Sequence, residues 1–115
     1  MMRAIDPNGA GHFSYIWQYQ IEPSKRREFL AAYNSEGAWV QLFSRDRNYF
    51  GTVLLQDAND DNRYVTIDYW SSQDARDAFR KAHAADFATL DQRCAAYTVA
   101  EEFVGDFTIV DPHPT

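Results

Sequence analysis

The chain of 115 residues (13.3 kDa) is long enough for one domain and too short for two independently folding cores. Its net charge of −6 argues against a nucleic-acid binder, which needs a basic footprint, and its longest apolar run, Phe29–Tyr33, falls far short of the ~18 residues of a membrane helix. A single cysteine, Cys94, excludes an internal disulfide and a cysteine-built zinc site, and the absence of an apolar N-terminal stretch that could serve as a secretory signal makes the cytoplasm the expected setting.

Residues 1–12 contain Pro7, Gly9 and Gly11 without periodicity and are expected to form a flexible leader. Phe13–Ile21 alternates, with Phe13, Tyr15, Trp17, Tyr19 and Ile21 on one side, and predicts a first strand. Pro23 suits the first turn of a helix whose stripe is Phe29, Leu30 and Tyr33. Residues 34–37 break that helix, and Trp39, Leu42 and Phe43 mark a short second one. Tyr49–Gln56 is the second strand, where Gly51 signals a bulge or a close backbone approach. A polar turn over 57–62 leads to a third strand, Arg63–Trp70. Ser71 with Asp74 resembles a capping box with Asp in place of Glu. From there to Cys94, residues Ala75, Ala78, Phe79, Ala82, His83, Phe87 and Leu90 recur at helical spacing, as one kinked helix or two in succession. Tyr97–Val110 is a long last strand and residues 111–115 a tail, so that one domain spans 13–110.

The order strand, helix, strand, strand, helix, strand predicts an α+β fold of the ferredoxin-like βαββαβ type, a four-stranded antiparallel sheet with helices on one face. The strands nevertheless carry apolar groups on both sides: Ile16 opposes Trp17, Val53 and Leu55 oppose Phe50 and Leu54, and Val104 opposes Phe103 and Phe107. A half-solvated sheet alternates more cleanly. The open face is therefore expected to pack against a second copy of the chain in a two-fold homodimer. Aromatic residues make up 16 % of the sequence, more than a small interior needs, and part of that surface should line a cavity for a small aromatic or hydrophobic molecule or a subunit contact.

One ordered set of residues carries a resemblance. It runs from Trp17 through Pro23 and Phe29 to Tyr33 and through 37–43 (Gly-Ala-Trp-Val-Gln-Leu-Phe). It continues with Tyr49–Thr52 and Tyr64–Ser71, whose Asp-Tyr-Trp-Ser step leads into a helix bearing Ala75 and Phe79, and ends at Glu102–Gly105. Over residues 13–107 the chain resembles the antibiotic-biosynthesis-monooxygenase family of dimeric α+β barrels. The resemblance implies sheet-to-sheet dimers and, in each subunit, a pocket between sheet and helices. It leaves the chemistry open, because members include oxygenases of polycyclic aromatic ketides that use no metal or flavin, haem degraders, and domains without known activity.

Oxygenation without a cofactor needs an electron-rich substrate, a base, hydrogen-bond donors and a dry aromatic cavity. Two bases are candidates. His83 lies one helical turn from both Phe79 and Phe87, on the core-facing stripe, and is alternatively a junction histidine satisfied by a carbonyl or water; His12 and His113 fall in the terminal segments. Asp68, in the middle of an apolar strand, must be hydrogen-bonded or paired if buried, and either anchors an arginine or loop backbone or serves as the base. Tyr15, Trp17 and Tyr19 share one face of the first strand, and that face lines either the pocket or the dimer contact; Trp17, Tyr19 or Tyr69 could donate to a ligand oxygen. Trp39 and Phe43 are candidates for a lid over the pocket or for plain core packing, and Phe79 and Phe87 are further candidate walls.

Haem-degrading relatives need a histidine, an asparagine and a distorting tryptophan where this chain has Thr89, no asparagine on the first strand, and Phe79; haem is not expected. Asp57, Asn59, Asp61 and Asp68 occupy calcium-loop positions, but Asn62 stands where the loop needs glycine and Asp68 belongs to a strand. A solvated turn explains the cluster, and no metal site is expected. The leading expectation is oxidation of an aromatic or polyketide-like compound by O2 without a bound cofactor. A non-catalytic dimer that binds a small hydrophobic molecule, or an oxygen-independent isomerase or cyclase, are the alternatives.

Overall fold

The computed structural model describes residues 13–111; the expected leader, the end of the tail, His12 and His113 lie outside them. In chain order the elements are β1 (Phe13–Ile21), a 3-10 turn (Pro23–Lys25), α1 (Arg26–Tyr33), α2 (Ala38–Phe43), β2 (Tyr49–Asp57), β3 (Asp60–Trp70), α3 (Gln73–Ala82), α4 (Ala84–Cys94), a second 3-10 turn (Ala95–Tyr97) and β4 (Thr98–Thr108). The sheet order is β2-β3-β1-β4 and every pairing is antiparallel, which is the ferredoxin-like arrangement. β3 begins three residues earlier than its apolar pattern suggests, because Asp57 pairs with Asp60 across a tight hairpin and the ladder extends into polar residues. β4 is shorter than expected at both ends. The long helical region is two helices that meet at His83, and the cap is Ser72 rather than Ser71: the Ser72 hydroxyl accepts from the Ala75 amide at 3.0 Å.

Alternation assigns the faces. Phe13, Tyr15, Tyr19 and Ile21 of β1 and Tyr64, Thr66, Asp68 and Trp70 of β3 are buried beneath the helices. They meet Phe29, Ala32 and Tyr33 of α1, the buried side of α2, Phe79 of α3, and Leu90 and Cys94 of α4 in one aromatic core. The opposite face presents Ile16, Val53, Leu55, Val65, Ile67, Tyr69 and Phe107, with Leu55 and Phe107 openly exposed. No helix among the described residues is long and apolar enough to cross a membrane.

Two glycines set the local geometry. Gly51, at φ 131°, lies in a bulge at which β2 gains one residue over β3: Tyr49 opposes Trp70, Gly51 opposes Tyr69, and Thr52 opposes Asp68. The extra residue puts Tyr49 and Thr52 on the same, helix-covered face, although three positions separate them. Gly37 caps α2 where the backbone of α1 comes close, and a Cβ there would stand 2.5 Å from the Ala32 carbonyl oxygen. Gly37→Ala is expected to cost about 1–3 kcal/mol, the usual range for overpacking, visible as a lower urea midpoint at unchanged slope.

Candidate active site

Between the helix-covered face of the sheet and α2, α3 and α4 lies a cavity of about 190 Å³. Its floor is a cross-strand row in which Thr52, Asp68, Tyr15 and Asp106 follow one another from β2 to β4. The first three of these line the cavity.

Asp68, on an inner strand, is only 6 % exposed. The Thr52 hydroxyl donates to its Oδ1. The Tyr49 hydroxyl is 2.5 Å from the Thr52 oxygen. Because the single proton of Thr52 is committed to Asp68, Tyr49 must donate to Thr52. The bulge at Gly51 is what makes this chain of donors possible. Burial pushes the Asp68 carboxyl up to about 7, against the opposing pull of the Thr52 hydrogen bond and the charges of Arg80 and Arg76. A carboxyl poised there can take and return a proton near neutrality.

Tyr15 faces Asp68 across the β1–β3 ladder. No hydrogen bond of ordinary length and angle reaches its buried hydroxyl among the described residues; the Arg80 guanidinium and the Trp70 indole, which act on it, are donors, so its own proton has no acceptor. Burial, reinforced by the Asp68 charge, raises its pKa far above the ordinary phenol value, and the Arg80 guanidinium and Trp70 indole offset only part of this. Tyr15 is therefore a neutral donor. α3 lays two arginines over it. Arg76, 4 % exposed, stands 4.8 Å above the Tyr15 ring and 5.0 Å above Phe13, and it bonds both carboxylate oxygens of Asp106 at 2.9 and 3.2 Å. Arg80 lies 5.0 Å from the Tyr15 ring and 5.3 Å from Phe87, and its buried Nε has no partner among the described residues. Arg80 lines the cavity; Arg76 does not.

The far end is aromatic. Tyr19 packs on Tyr33 with centroids 5.0 Å apart, Tyr33 on Trp39 at 6.1 Å, and Trp39 on Phe87 at 5.1 Å. The Tyr19 hydroxyl is 3.1 Å from Thr66 Oγ1. Burial raises the pKa of both Tyr19 and Tyr33 and keeps them neutral. The lining residues that are themselves exposed are Asp91 of α4 and Glu101 of β4, so the cavity opens between these elements. Partial burial and then the charge of Asp91 push the Glu101 carboxyl up.

The structure thus brings Asp68, Tyr15, Trp17, Tyr19, Trp39, Phe43 and Phe87 together around one cavity. The aromatic row of β1 faces the helices. Three candidates stand apart. Tyr69 projects from the opposite sheet face, as alternation with Asp68 and Trp70 requires. Phe79 is core, packed on Phe43 and Trp70. His83 stacks on Phe79 at 4.5 Å at the helix junction and is not among the lining residues. Thr89 is exposed, with its hydroxyl donating to the Ala85 carbonyl. Asp57 pairs with Arg63 at 3.0 Å within the hairpin, and no cluster of metal-ligating side chains occurs among the described residues.

Sequence reasoning missed Arg80, Arg76, Thr52, Thr66, Asp91 and Glu101. The arginines carried a readable signal: residues 76, 80 and 83 fall at helical spacing with Phe79, on the face turned to the sheet. Thr66 shares the Asp68 face by strand alternation alone, whereas Thr52 becomes legible only once the bulge and the strand register are known.

An antiparallel βαββαβ sheet with an aromatic cavity under its helices defines a ferredoxin-like α+β protein. The chain belongs to the antibiotic biosynthesis monooxygenase family, whose profile matches residues 13–89. Among solved structures it is similar to a point mutant of SnoaB, a cofactor-independent oxygenase from Streptomyces nogalater, at 24 % identity and a TM-score of 0.67 over 89 % of this chain and 96 % of that one. A candidate antibiotic biosynthesis monooxygenase from Nitrosomonas europaea matches at 18 % identity and a TM-score of 0.68, covering 90 % and 96 % of the two chains. A conserved protein from Methanosarcina mazei Go1 matches at 11 % identity and a TM-score of 0.68, covering 84 % and 90 %. No curated protein sequence matches the chain.

Proposed function

We propose that this protein is a cofactor-independent monooxygenase that oxidises an electron-rich aromatic molecule with O2. The observation that carries the reading is Asp68, a buried carboxyl poised near neutrality on the floor of an aromatic cavity, with Arg80 and Tyr15 beside it. Asp68 takes a proton from an acidic C–H or O–H of the substrate. Arg80 and the Tyr15 hydroxyl stabilise the anion through groups that are otherwise unpartnered. The anion gives one electron to O2, the two radicals combine to form a C–O bond, and the hydroperoxide loses water. At a methylene the balance is CH2 plus O2 giving C=O plus H2O, with the Asp68 proton leaving in the water. The substrate supplies the electrons, so no cofactor enters the step. His83, outside the cavity lining, is not assigned the proton transfer.

Oxygen uptake with a panel of hydroquinones, naphthols and anthrones, and ¹⁸O incorporation from ¹⁸O2 into the product, test this reading. Turnover that persists under nitrogen would replace it with the isomerase or cyclase reading, and binding without product with that of a sequestering protein. The apolar outer face of the sheet supports a homodimer packed face to face. Light scattering at micromolar concentration is expected to give twice the 13.3 kDa chain mass, and a monomer would contradict the packing.

A further inference from the structure

The chemistry of the cavity narrows what can enter it, and the following rests on Asp68 as the proton acceptor. An apolar cavity of about 150 Å³ encloses benzene. At about 190 Å³ this one encloses a single substituted ring, with a second ring reaching the opening between α4 and β4. Charge is distributed unevenly along that path. Asp91 and Glu101 stand exposed at the opening, whereas Arg80 is half-buried with its Nε fully enclosed, its guanidinium 5.0 Å from the Tyr15 ring and 5.3 Å from the Phe87 ring. Two donors at the inner end are buried and unpartnered among the described residues, Arg80 Nε and the Tyr15 hydroxyl, and both residues border the cavity. A buried donor left without an acceptor is costly, so the inner end calls for a ligand oxygen. The opening, in contrast, repels any ligand that arrives already charged negative.

We propose that the cavity admits one- and two-ring hydroxyarenes in their neutral form, that Asp91 and Glu101 act as specificity-determining carboxylates which turn away anionic ligands, and that the hydroxyl proton is surrendered only inside, to Asp68. Asp91 and Glu101 touch no reacting atom in this scheme. They sort ligands by charge at the threshold, and Arg80 with Tyr15 holds the oxygen that reaches them.

Isothermal titration calorimetry under nitrogen tests this apart from any oxidation, using 1-naphthol, naphthalene, 5-hydroxy-1-naphthoate and 1,8-dihydroxyanthrone. At pH 7.5, 1-naphthol is expected to bind at least about tenfold more tightly than naphthalene, the margin of one hydrogen bond to a charged group, and than the hydroxynaphthoate or the three-ring anthrone. In the Asp91→Asn/Glu101→Gln double variant the penalty on the hydroxynaphthoate relative to naphthol should shrink to within about threefold; both positions are exposed, so folding is not at risk. Arg80→Gln should reduce the preference for naphthol over naphthalene by about threefold or more, the Tyr15 hydroxyl and Asp68 retaining the rest. Equal binding of the carboxylated and neutral ligands, a penalty unchanged in the double variant, or tighter binding of the three-ring compound would each overturn the proposal. Naphthol binding of the expected pattern without oxygen uptake in air from any hydroxyarene that binds would leave it standing and remove the monooxygenase reading instead.

Discussion

Asp68→Asn is expected to lower turnover by about 10²–10⁴ and, at the same time, to make the protein more stable above pH 7. An asparagine fits the site and can still accept from Thr52, but it cannot take a proton. The pH profile of turnover by the natural protein should rise through about 7, where Asp68 loses its proton and becomes a base. The stability effect has the opposite sign. In the unfolded chain Asp68 ionises near its ordinary value of 3.8, whereas the folded protein holds the proton to about 7. Between these values the folded state binds the extra proton, so stability falls as pH rises. The span corresponds to as much as about 4 kcal/mol, at roughly 1.36 kcal/mol per tenfold change in proton affinity. Urea midpoints at pH 5 and pH 8 check this: the natural protein should lose more stability over that interval than Asp68→Asn. Parallel pH dependence in the two would show that Asp68 does not carry the raised pKa, and the proposed base would lose its support.

The second large effect concerns the clamp between α3 and β4, and it is asymmetric. Arg76 is buried, but its carboxylate partners are not: the Asp106 side chain is 30 % exposed and that of Asp77 is 56 % exposed. Removing Asp106 strands a buried guanidinium that keeps only Asp77 at 2.7 Å. A fully buried pair broken in this way costs about 3–5 kcal/mol. Solvent at Asp106 and the remaining partner bring the expected cost of Asp106→Ala to about 2 kcal/mol. Arg76→Met should cost less, because the stem still packs on Phe13 and Tyr15 while both carboxylates return to water. Denaturation midpoints of the two variants settle the order, and a costlier Arg76→Met would mean that the guanidinium stacking on the rings matters more than the ion pair.

Much of the fold was legible because each strand carries its own periodicity. The alternation of 13–21 and 63–70, the break at 34–37 and the glycine at 51 all correspond to observed features. Alternation also groups Asp68 with Thr66 and Trp70 and separates it from Tyr69. What periodicity could not supply was which way the sheet faces, since apolar side chains line both sides; only the packed helices show that Tyr15, Trp17 and Tyr19 turn inward. Nor could it tell a solvated helix arginine from one folded over a ring. Arg76 and Arg80 have the composition of a surface helix, and their placement depends on Asp106 and Tyr15 arriving from distant strands and on Phe87 from the next helix. The chemistry of histidine singles out position 83, yet its ring is spent on Phe79.

The strand order leaves β4 as a free margin, eleven residues long, with Val99 and Val104 uncovered along it. Such a margin offers unpaired amides to any other extended chain and invites fibrillar stacking. Glu101, Glu102 and Asp106 punctuate it with negative charge, so one molecule's rim repels another's. The carboxylate proposed to guard the entrance at Glu101 therefore also works as a gatekeeper against self-templating, and because its pKa is raised, acidification that discharges it would weaken both duties together.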